Sequence, residues 1–364
     1  MVAAQWDKIL VLQTSFLGDT VLTLPLLGEI KRRFPLAQLA FFCAPQGREL
    51  AESCSAVDAV IVDDKRGADR GLSGLRRQAR RLRQMRFTLA LTPHKSLRSA
   101  LILYLARIPC RVGFRQSKGW FLFNRLVNRP AERHDVERNL ALLNAFDIAI
   151  EECHRGFASA GMRDQKTPLT PELRSLKEGG HRLVIGVNPG SVWATKRWSV
   201  RGYAQFIQLV KARWDCEVVI FGGPDDVQIA GAIRKACASE CIDLAAKLTL
   251  AELPAALSAC DVFVSNDSGP MHIAVARGVP TVALFCATTP ALGFYPYSSD
   301  AVVLQKDLSC RPCSSHGGRR CPLGTEDCIR LIRPDHVFQA VEGLLARRSE
   351  TKAAPGHGPE FVFV

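Results

Sequence analysis

Short apolar runs of strand length alternate along the chain with longer stretches whose apolar positions recur every three or four residues. Lys8-Ile-Leu-Val-Leu12 reads as a buried strand. The turn Thr14-Ser-Phe-Leu-Gly-Asp19 follows, then an amphipathic stretch from Thr20 to Phe34 that Pro35 closes. Gln38–Cys43 and Ala59–Val62 are the next strand-like runs. A basic helical segment, Arg76–Arg86, precedes a strand at Phe87–Leu91, and Thr92-Pro-His-Lys95 leads into a helix from Ser96 to Ala106. This alternation predicts a parallel sheet with crossover helices. Asp135–Phe146 reads as a further helix, after which Glu151–Gly180 loses periodicity, holds two prolines and a Gly-Gly, and is the expected interdomain linker.

The pattern then restarts. Leu183–Val187 is a strand, Asn188-Pro-Gly-Ser191 a loop, and Arg201–Arg213 a helix. Glu217–Phe221, Ile242–Ala245, Asp261–Ser265 and Thr281–Phe285 are the later strands, and Pro334–Ala346 is the final helix. With 364 residues, the chain is expected to hold two α/β domains, at 1–165 and 181–346. Residues 347–364 mix charge with Ala-Ala-Pro-Gly-His-Gly-Pro and read as a mobile tail. Two such domains place a ligand in the cleft between them, at the carboxyl ends of their strands.

Composition narrows this further. At 47% hydrophobic and 23% charged residues the chain has ample material for cores, and disordered or fibrous classes are excluded. The longest apolar candidates, Ser99–Ala106 and Thr281–Ala287, fall well short of the roughly 20 residues of a membrane helix. The opening residues lack a basic n-region and an apolar core, so a cytoplasmic location is expected. Nine of the thirteen cysteines are scattered singly through apolar stretches, as buried thiols are. The net charge of +13 is uneven: Lys65–Arg138 holds 19 Lys/Arg against 4 Asp/Glu, so the remainder sums to −2. A basic first half suits a phosphorylated ligand, an anionic membrane surface or nucleic acid, or is simply a solvated helix face. Against nucleic acid, no aromatics interleave with the charges and no recognised binding signature accompanies them.

The first strand–helix turn carries no dinucleotide fingerprint, P-loop or nucleophile elbow. It offers Gly18-Asp19, a carboxylate at a strand tip that suits either a general base or a helix cap. A second cluster is Ser191 with Thr195, Lys196, Arg197 and Trp198, where loop amides and Lys196 suit a diphosphate or form an ordinary surface loop. The third is Asn266-Asp267-Ser268-Gly269-Pro270-Met271-His272, where a helix start with open N–H groups is a ready anion site, or where Asp267 or Ser268 merely caps and His272 is core.

In order and combination these segments resemble glycosyltransferase family 9, the lipopolysaccharide heptosyltransferases. The carrying residues are Leu17-Gly18-Asp19, Asn188–Ser191 with Thr195–Trp198, Phe221-Gly222-Gly223, Asn266–His272 and Ala276–Pro280, with family-like segments at Phe87–Ser96, Ala106–Gly113 and His134–Leu142. The resemblance runs from about Lys8 to about Leu345 and is closest to the type II enzymes.

It implies a GT-B fold of two Rossmann-like domains, acceptor bound by the first and nucleotide sugar by the second. By position Asp19 would be the catalytic base and Lys196 the diphosphate contact. Ser191, Thr195, Gly222, Asp267, Ser268, Gly269, Pro270 and His272 would line the donor site. The implied donor is ADP-L-glycero-β-D-manno-heptose, and the acceptor a heptosylated Kdo-lipid A core at the cytoplasmic face of the inner membrane. Catalysis is expected to need no metal, and no nucleic acid partner is expected. Lys95, Arg98 and Arg115 are the expected acceptor contacts within the basic region.

Cys310-x-x-Cys313, Cys321 and Cys328 lie within 19 residues, a spacing that suits a structural zinc or iron site as well as free or redox-paired thiols. The alternatives are another GT-B transferase, a nucleotide-sugar epimerase, and a binding module without catalysis. The basic first domain counts against the epimerase, and the retained Asp19 against the module.

Overall fold

The computed structural model describes residues 6–153, 156–157, 183–350 and 358–364. The chain divides into two compact units, Met1–Arg163 and Asp164–Val364. The division falls in the stretch read as a linker, most of which lies outside the described residues.

Unit one is a six-stranded, wholly parallel sheet: β1 (Lys8–Gln13), β2 (Gln38–Cys43), β3 (Ala59–Val62), β4 (Leu89–Thr92), β5 (Cys110–Phe114) and β6 (Arg125–Val127). Its order is β3-β2-β1-β4-β5-β6, the doubly wound arrangement, with the order reversing between β1 and β4. Helix α1 (Leu17–Arg33) is buried from Thr20 to Ile30 and packs beside α5 (Asp135–Leu140), which explains its nearly continuous apolar sequence. Its one buried acid, Glu29, is held by Arg32 at 2.6 Å and Arg33 at 2.8 Å. The short α2 (Arg48–Ser53) leads to β3. Helices α3 (Gly71–Met85) and α4 (Leu97–Leu105) cover a core built on Leu10, Leu12, Phe42, Ile61, Leu82 and Leu103.

Unit two repeats the plan with one strand more. Its strands are β7 (Leu183–Asn188), β8 (Cys216–Ile220), β9 (Ile242–Asp243), β10 (Val262–Asn266), β11 (Thr281–Phe285), β12 (Ala301–Gln305) and β13 (Glu360–Phe363). They run parallel in the order β13-β12-β11-β10-β7-β8-β9, reversing between β7 and β10. The helices described are α6 (Val200–Arg213), α7 (Val227–Cys237), α8 (Leu253–Leu257), α9 (Gly269–Ala276), α10 (Asp327–Arg330) and α11 (Pro334–Glu350). Tyr203, Phe206, Val187, Val264, Leu284 and Val341 are fully buried in its core.

The structure differs from the sequence reading in four places. The helix expected over Asp135–Phe146 is α-helical only to Leu140, then tightens to a 3-10 turn over Ala141–Phe146 that ends at a left-handed Asp147. Strands β5 and β6 escape the apolar pattern because arginines interrupt them, and β12 is a buried apolar run, Ala301-Val-Val-Leu304, that the sequence reading does not include. Ile242–Ala245 contributes only a two-residue edge strand. The tail expected at 347–364 instead continues α11 to Glu350 and supplies β13, which pairs with β12 from Val302–Glu360 to Gln305–Phe363; residues 351–357 lie outside the described ones.

Candidate functional site

Because every strand is parallel, the loops that follow them gather at one edge of each sheet, and the switch points β1/β4 and β7/β10 open a crevice there. In unit one that edge presents Asp19. The N-cap of α1 is Phe16, not Asp19, which is third in the helix and reaches back so that its Oδ2 accepts the Phe16 N–H at 3.0 Å. The residue keeps partial solvent access, yet burial of its carboxyl pushes the pKa up to about 7. The Asp135 carboxylate reinforces the rise, while the Phe16 N–H and Arg129 oppose it. A carboxyl whose charge is held in balance near neutrality is suited to taking a proton.

Asp135 itself is buried at the start of α5, bonded by Arg129 and with Arg138 at 3.7 Å. Across the switch point, Lys65 donates to the Thr14 carbonyl at 2.5 Å, and the Thr14 hydroxyl lies 3.2 Å from His94 Nδ1, which is also 2.9 Å from the Ser99 hydroxyl. Burial, aided by Lys65 and Lys95, lowers the His94 pKa to about 4, so the ring is neutral at physiological pH. Neither Asp135 nor His94 is marked by spacing. The only signal for them is that each falls inside a segment carrying the family resemblance.

Of the expected acceptor contacts, Lys95 stands exposed on the β4 loop and feels Arg129 and Asp135 electrostatically. Arg115 is also exposed. Arg98 is committed elsewhere: it forks onto Asp63 at 2.8 and 3.2 Å and donates to the Asp69 and Gly71 carbonyls at 2.8 and 3.2 Å. It fastens the start of α3 and presents no free fork.

In unit two the loops after β7 and β10 meet through Asn266. Its amide takes the Trp198 N–H at 3.0 Å and the Tyr203 hydroxyl at 3.2 Å on Oδ1, and gives Nδ2–H to the Pro189 carbonyl at 2.8 Å. Beside this knot Lys196 Nζ lies 2.6 Å from Asp267 Oδ2, which also accepts the Thr288 hydroxyl at 2.6 Å. Ser268 caps no N–H of α9 with its side chain; its hydroxyl instead takes a bond from Asn188 at 3.2 Å, so the first amides of α9 stay open. His272 is buried with Nδ1 unpartnered, and burial lowers its pKa to about 4 despite Asp267 nearby.

Thr195 is tied to Gly318, accepting its N–H at 2.8 Å and donating to its carbonyl at 3.1 Å. The adjacent Gly317 has φ +86°, and a Cβ there would come within 2.8 Å of Lys196 Cγ. Ser191 O takes Arg197 Nε at 2.7 Å, and Gly222 accommodates Asp226, whose carboxylate receives the Gly223 N–H at 2.9 Å. The second and third clusters of the sequence reading thus come together, joined through Asn266, with Thr288 and Gly317 added to them.

The cysteine group is less gathered. Cys310, Cys313 and Cys321 are half-buried and Cys328 is buried. Among the described residues no three His, Cys, Asp or Glu side chains stand together as a metal-ligating set. No described helix is long and apolar enough to cross a membrane.

A model of glycosyltransferase family 9 (heptosyltransferase) matches residues 75–322. The chain belongs to that family. Lipopolysaccharide heptosyltransferase 2 of Salmonella typhimurium is 30% identical over 303 residues, spanning 78% of this chain and 84% of that protein. Lipooligosaccharide heptosyltransferase 2 of Campylobacter jejuni is 26% identical over 351 residues, spanning 93% and 98%. Among solved structures, the ADP-heptose lps heptosyltransferase II of E. coli superposes with a TM-score of 0.74 at 25% identity, covering 94% of this chain and 99% of that one. The fold is accordingly GT-B, and the family 9 chain is a glycosyltransferase. Its matched segment includes the Lys196 and Asp267 cluster and begins after Asp19.

Proposed function

We propose that this family 9 enzyme is an inverting heptosyltransferase of the type II class. It moves heptose from ADP-L-glycero-β-D-manno-heptose to the heptosyl-Kdo-lipid A inner core of lipopolysaccharide. The observation that carries the reading is Asp19, a carboxyl whose surroundings hold its pKa near 7 at the switch point of the first sheet. Support for the donor comes from the likeness to the ADP-heptose lps heptosyltransferase II of E. coli, and for lipopolysaccharide as the acceptor from the lipopolysaccharide heptosyltransferase 2 relative.

In the proposed reaction Asp19 takes the proton of the acceptor hydroxyl as that oxygen attacks the anomeric carbon, and ADP leaves from the opposite side. Unit one binds the acceptor, with Lys95 and Arg115 meeting its phosphates. Unit two binds the donor. Lys196, steered by Asp267, meets the charge that develops on the diphosphate, and the open amides of α9 at Ser268–Pro270 share it. Neutral His272 adds a hydrogen-bonding nitrogen without a second charge. No catalytic metal is invoked, because the cationic groups of unit two supply the counter-charge. The acceptor's lipid places the enzyme at the cytoplasmic face of the inner membrane, as a peripheral protein.

The four thiols, close in sequence, carry a separate proposal, a structural zinc or iron that would draw them together. The Glu326 backbone N–H, helped by those of Leu323, Gly324 and Thr325, favours the thiolate of Cys321 and lowers its pKa, which suits a ligand. Metal analysis of the purified protein, with a Cys310→Ser/Cys313→Ser variant as control, decides it: stoichiometric metal lost in the variant supports the site, and metal-free, fully folded protein removes it.

The test of the transfer reading is ADP release from ADP-heptose, with and without a heptose-deficient core acceptor, for the wild type and Asp19→Ala. Acceptor-dependent release that vanishes in a folded, ADP-binding variant is the expected result. Undiminished release by the variant would refute the role of Asp19.

A further inference from the structure

Helix α3 carries no acidic residue. Its buried side is Gly74, Leu75, Gln78, Ala79 and Leu82, and the opposite side exposes Arg76, Arg77, Arg80, Arg81 and Arg83. Asp69 pairs with Arg77 at 2.6 Å. Among the described residues no acid stands within ion-pair distance of Arg76, Arg80, Arg81 or Arg83. Helix pairs with acids at i+4 are the ordinary way to neutralise a solvated face, and here that device is missing. An open pocket is lined by Arg76, Arg77, Arg80 and Arg81 together with Ser73 and Gln84.

A second observation is independent of charge. Leu72, at the start of α3, is 71% exposed. Trp120 and Phe121, in the turn after β5, are 53% and 61% exposed, and Leu97 opens α4 with its side chain also out. All four follow carboxyl ends of parallel strands, so they share the sheet edge at which Asp19 sits. Short contacts keep them together. Arg98 bonds the Gly71 carbonyl at 3.2 Å, Lys118 N–H bonds the Lys95 carbonyl at 3.0 Å, and a Cβ on Gly119 would lie 3.2 Å from Leu97. Exposed apolar side chains clustered beside a one-signed charge stripe mark a binding face.

We propose that α3's arginine stripe, with Leu72, Leu97, Trp120 and Phe121, is the surface by which the enzyme lies on an anionic lipid bilayer. The arginines meet headgroup phosphates, and the tryptophan and its apolar neighbours enter the interfacial layer, as amphipathic surface anchors do. Nucleic acid fits less well, since base stacking needs aromatics interleaved with the charges, whereas these stand apart at one end of the stripe. The inference rests on the reading of the acceptor as a membrane-held glycolipid: it sets the bilayer against the edge where Asp19 would meet that acceptor.

The experiment is co-sedimentation of the full chain with vesicles of phosphatidylcholine alone and of phosphatidylcholine mixed with phosphatidylglycerol. It is run for the wild type, Arg76→Gln/Arg80→Gln/Arg83→Gln and Trp120→Ser/Phe121→Ser, each checked for folding by melting. Each basic residue near an anionic surface is worth about fivefold in partitioning, so the triple variant should bind the anionic vesicles about a hundredfold more weakly. The aromatic variant should bind at low salt and detach at high salt, where screening leaves only the apolar contribution.

Wild-type binding that ignores phosphatidylglycerol, or binding unchanged in both variants, overturns the proposal. So does duplex DNA binding that the arginines govern while vesicles are ignored. Transfer to a delipidated acceptor, measured in parallel, should be equal in all three proteins. Its absence in the wild type, with vesicle binding intact, would refute the transferase reading and leave the surface standing.

Discussion

Replacing Asp19 by Asn should abolish transfer and at the same time stabilise the protein at alkaline pH. The carboxyl pKa rises from 3.8 to about 7 on folding. The native state therefore binds more protons than the unfolded chain between those values, and stability falls as pH rises through that window. A shift of about 3 units corresponds to roughly 4 kcal/mol at 1.36 kcal/mol per unit. Because Asp19 retains partial solvent access, about half of that, roughly 2 kcal/mol, is the reasonable expectation.

Asn keeps an oxygen for the Phe16 N–H, so the helix start is preserved and only the charge is lost. Thermal melts at a series of pH values should show the two proteins alike near pH 4. The variant should gain steadily to about pH 7 and then hold a constant lead of about 4–8 °C, at 2–4 °C per kcal/mol for a domain of this size. A variant that melts at or below the wild type at pH 8, or by a margin independent of pH, would refute the assignment of a desolvated carboxyl at this position.

Transfer should switch on as pH rises through about 7, because the base acts only when ionised, and Asp135→Asn should move that limb to lower pH by removing the carboxylate that holds the pKa up; a pH–rate profile that does not shift would count against the coupling. Lys196→Met should lower kcat/KM by roughly a hundredfold or more and weaken ADP binding, measured by calorimetry, since one preorganised charge contact is commonly worth about 3 kcal/mol; unchanged ADP affinity and rate would remove Lys196 from the donor site. Gly317→Ala should weaken ADP binding and cost about 1–3 kcal/mol of stability, because φ is +86° and the new Cβ would displace Lys196; normal binding would show that the lysine does not depend on this turn.

The central strands were legible in the sequence because a strand buried on both faces is a continuous apolar run, as in Leu183–Val187 and Thr281–Phe285. Edge strands face solvent or pair once, and Arg125–Val127 and Glu360–Phe363 carry charges that such positions tolerate, so nothing in local pattern separates them from loop. The site shows the same division. Asp19, Lys196 and Asp267 follow strand ends and stand out by type and place. Asp135, Arg129 and Thr288 matter through proximity across the fold, which spacing does not encode. Arg98 shows the converse: its charge made it a candidate, and only its fork onto Asp63 shows that the charge is already engaged.

The amide knot at Asn266 bears on how such an enzyme can change its donor. One buried side chain ties the loop after β7, at Pro189 and Trp198, to helix α6 at Tyr203. Residues at the loop tips, such as Ser191 and Val192, make none of those bonds, and should vary without loosening the frame of the proposed donor site. A combinatorial library seeking new sugar donors would therefore randomise the tips and hold Asn266, Trp198 and Tyr203 constant, separating what is chosen from what does the holding.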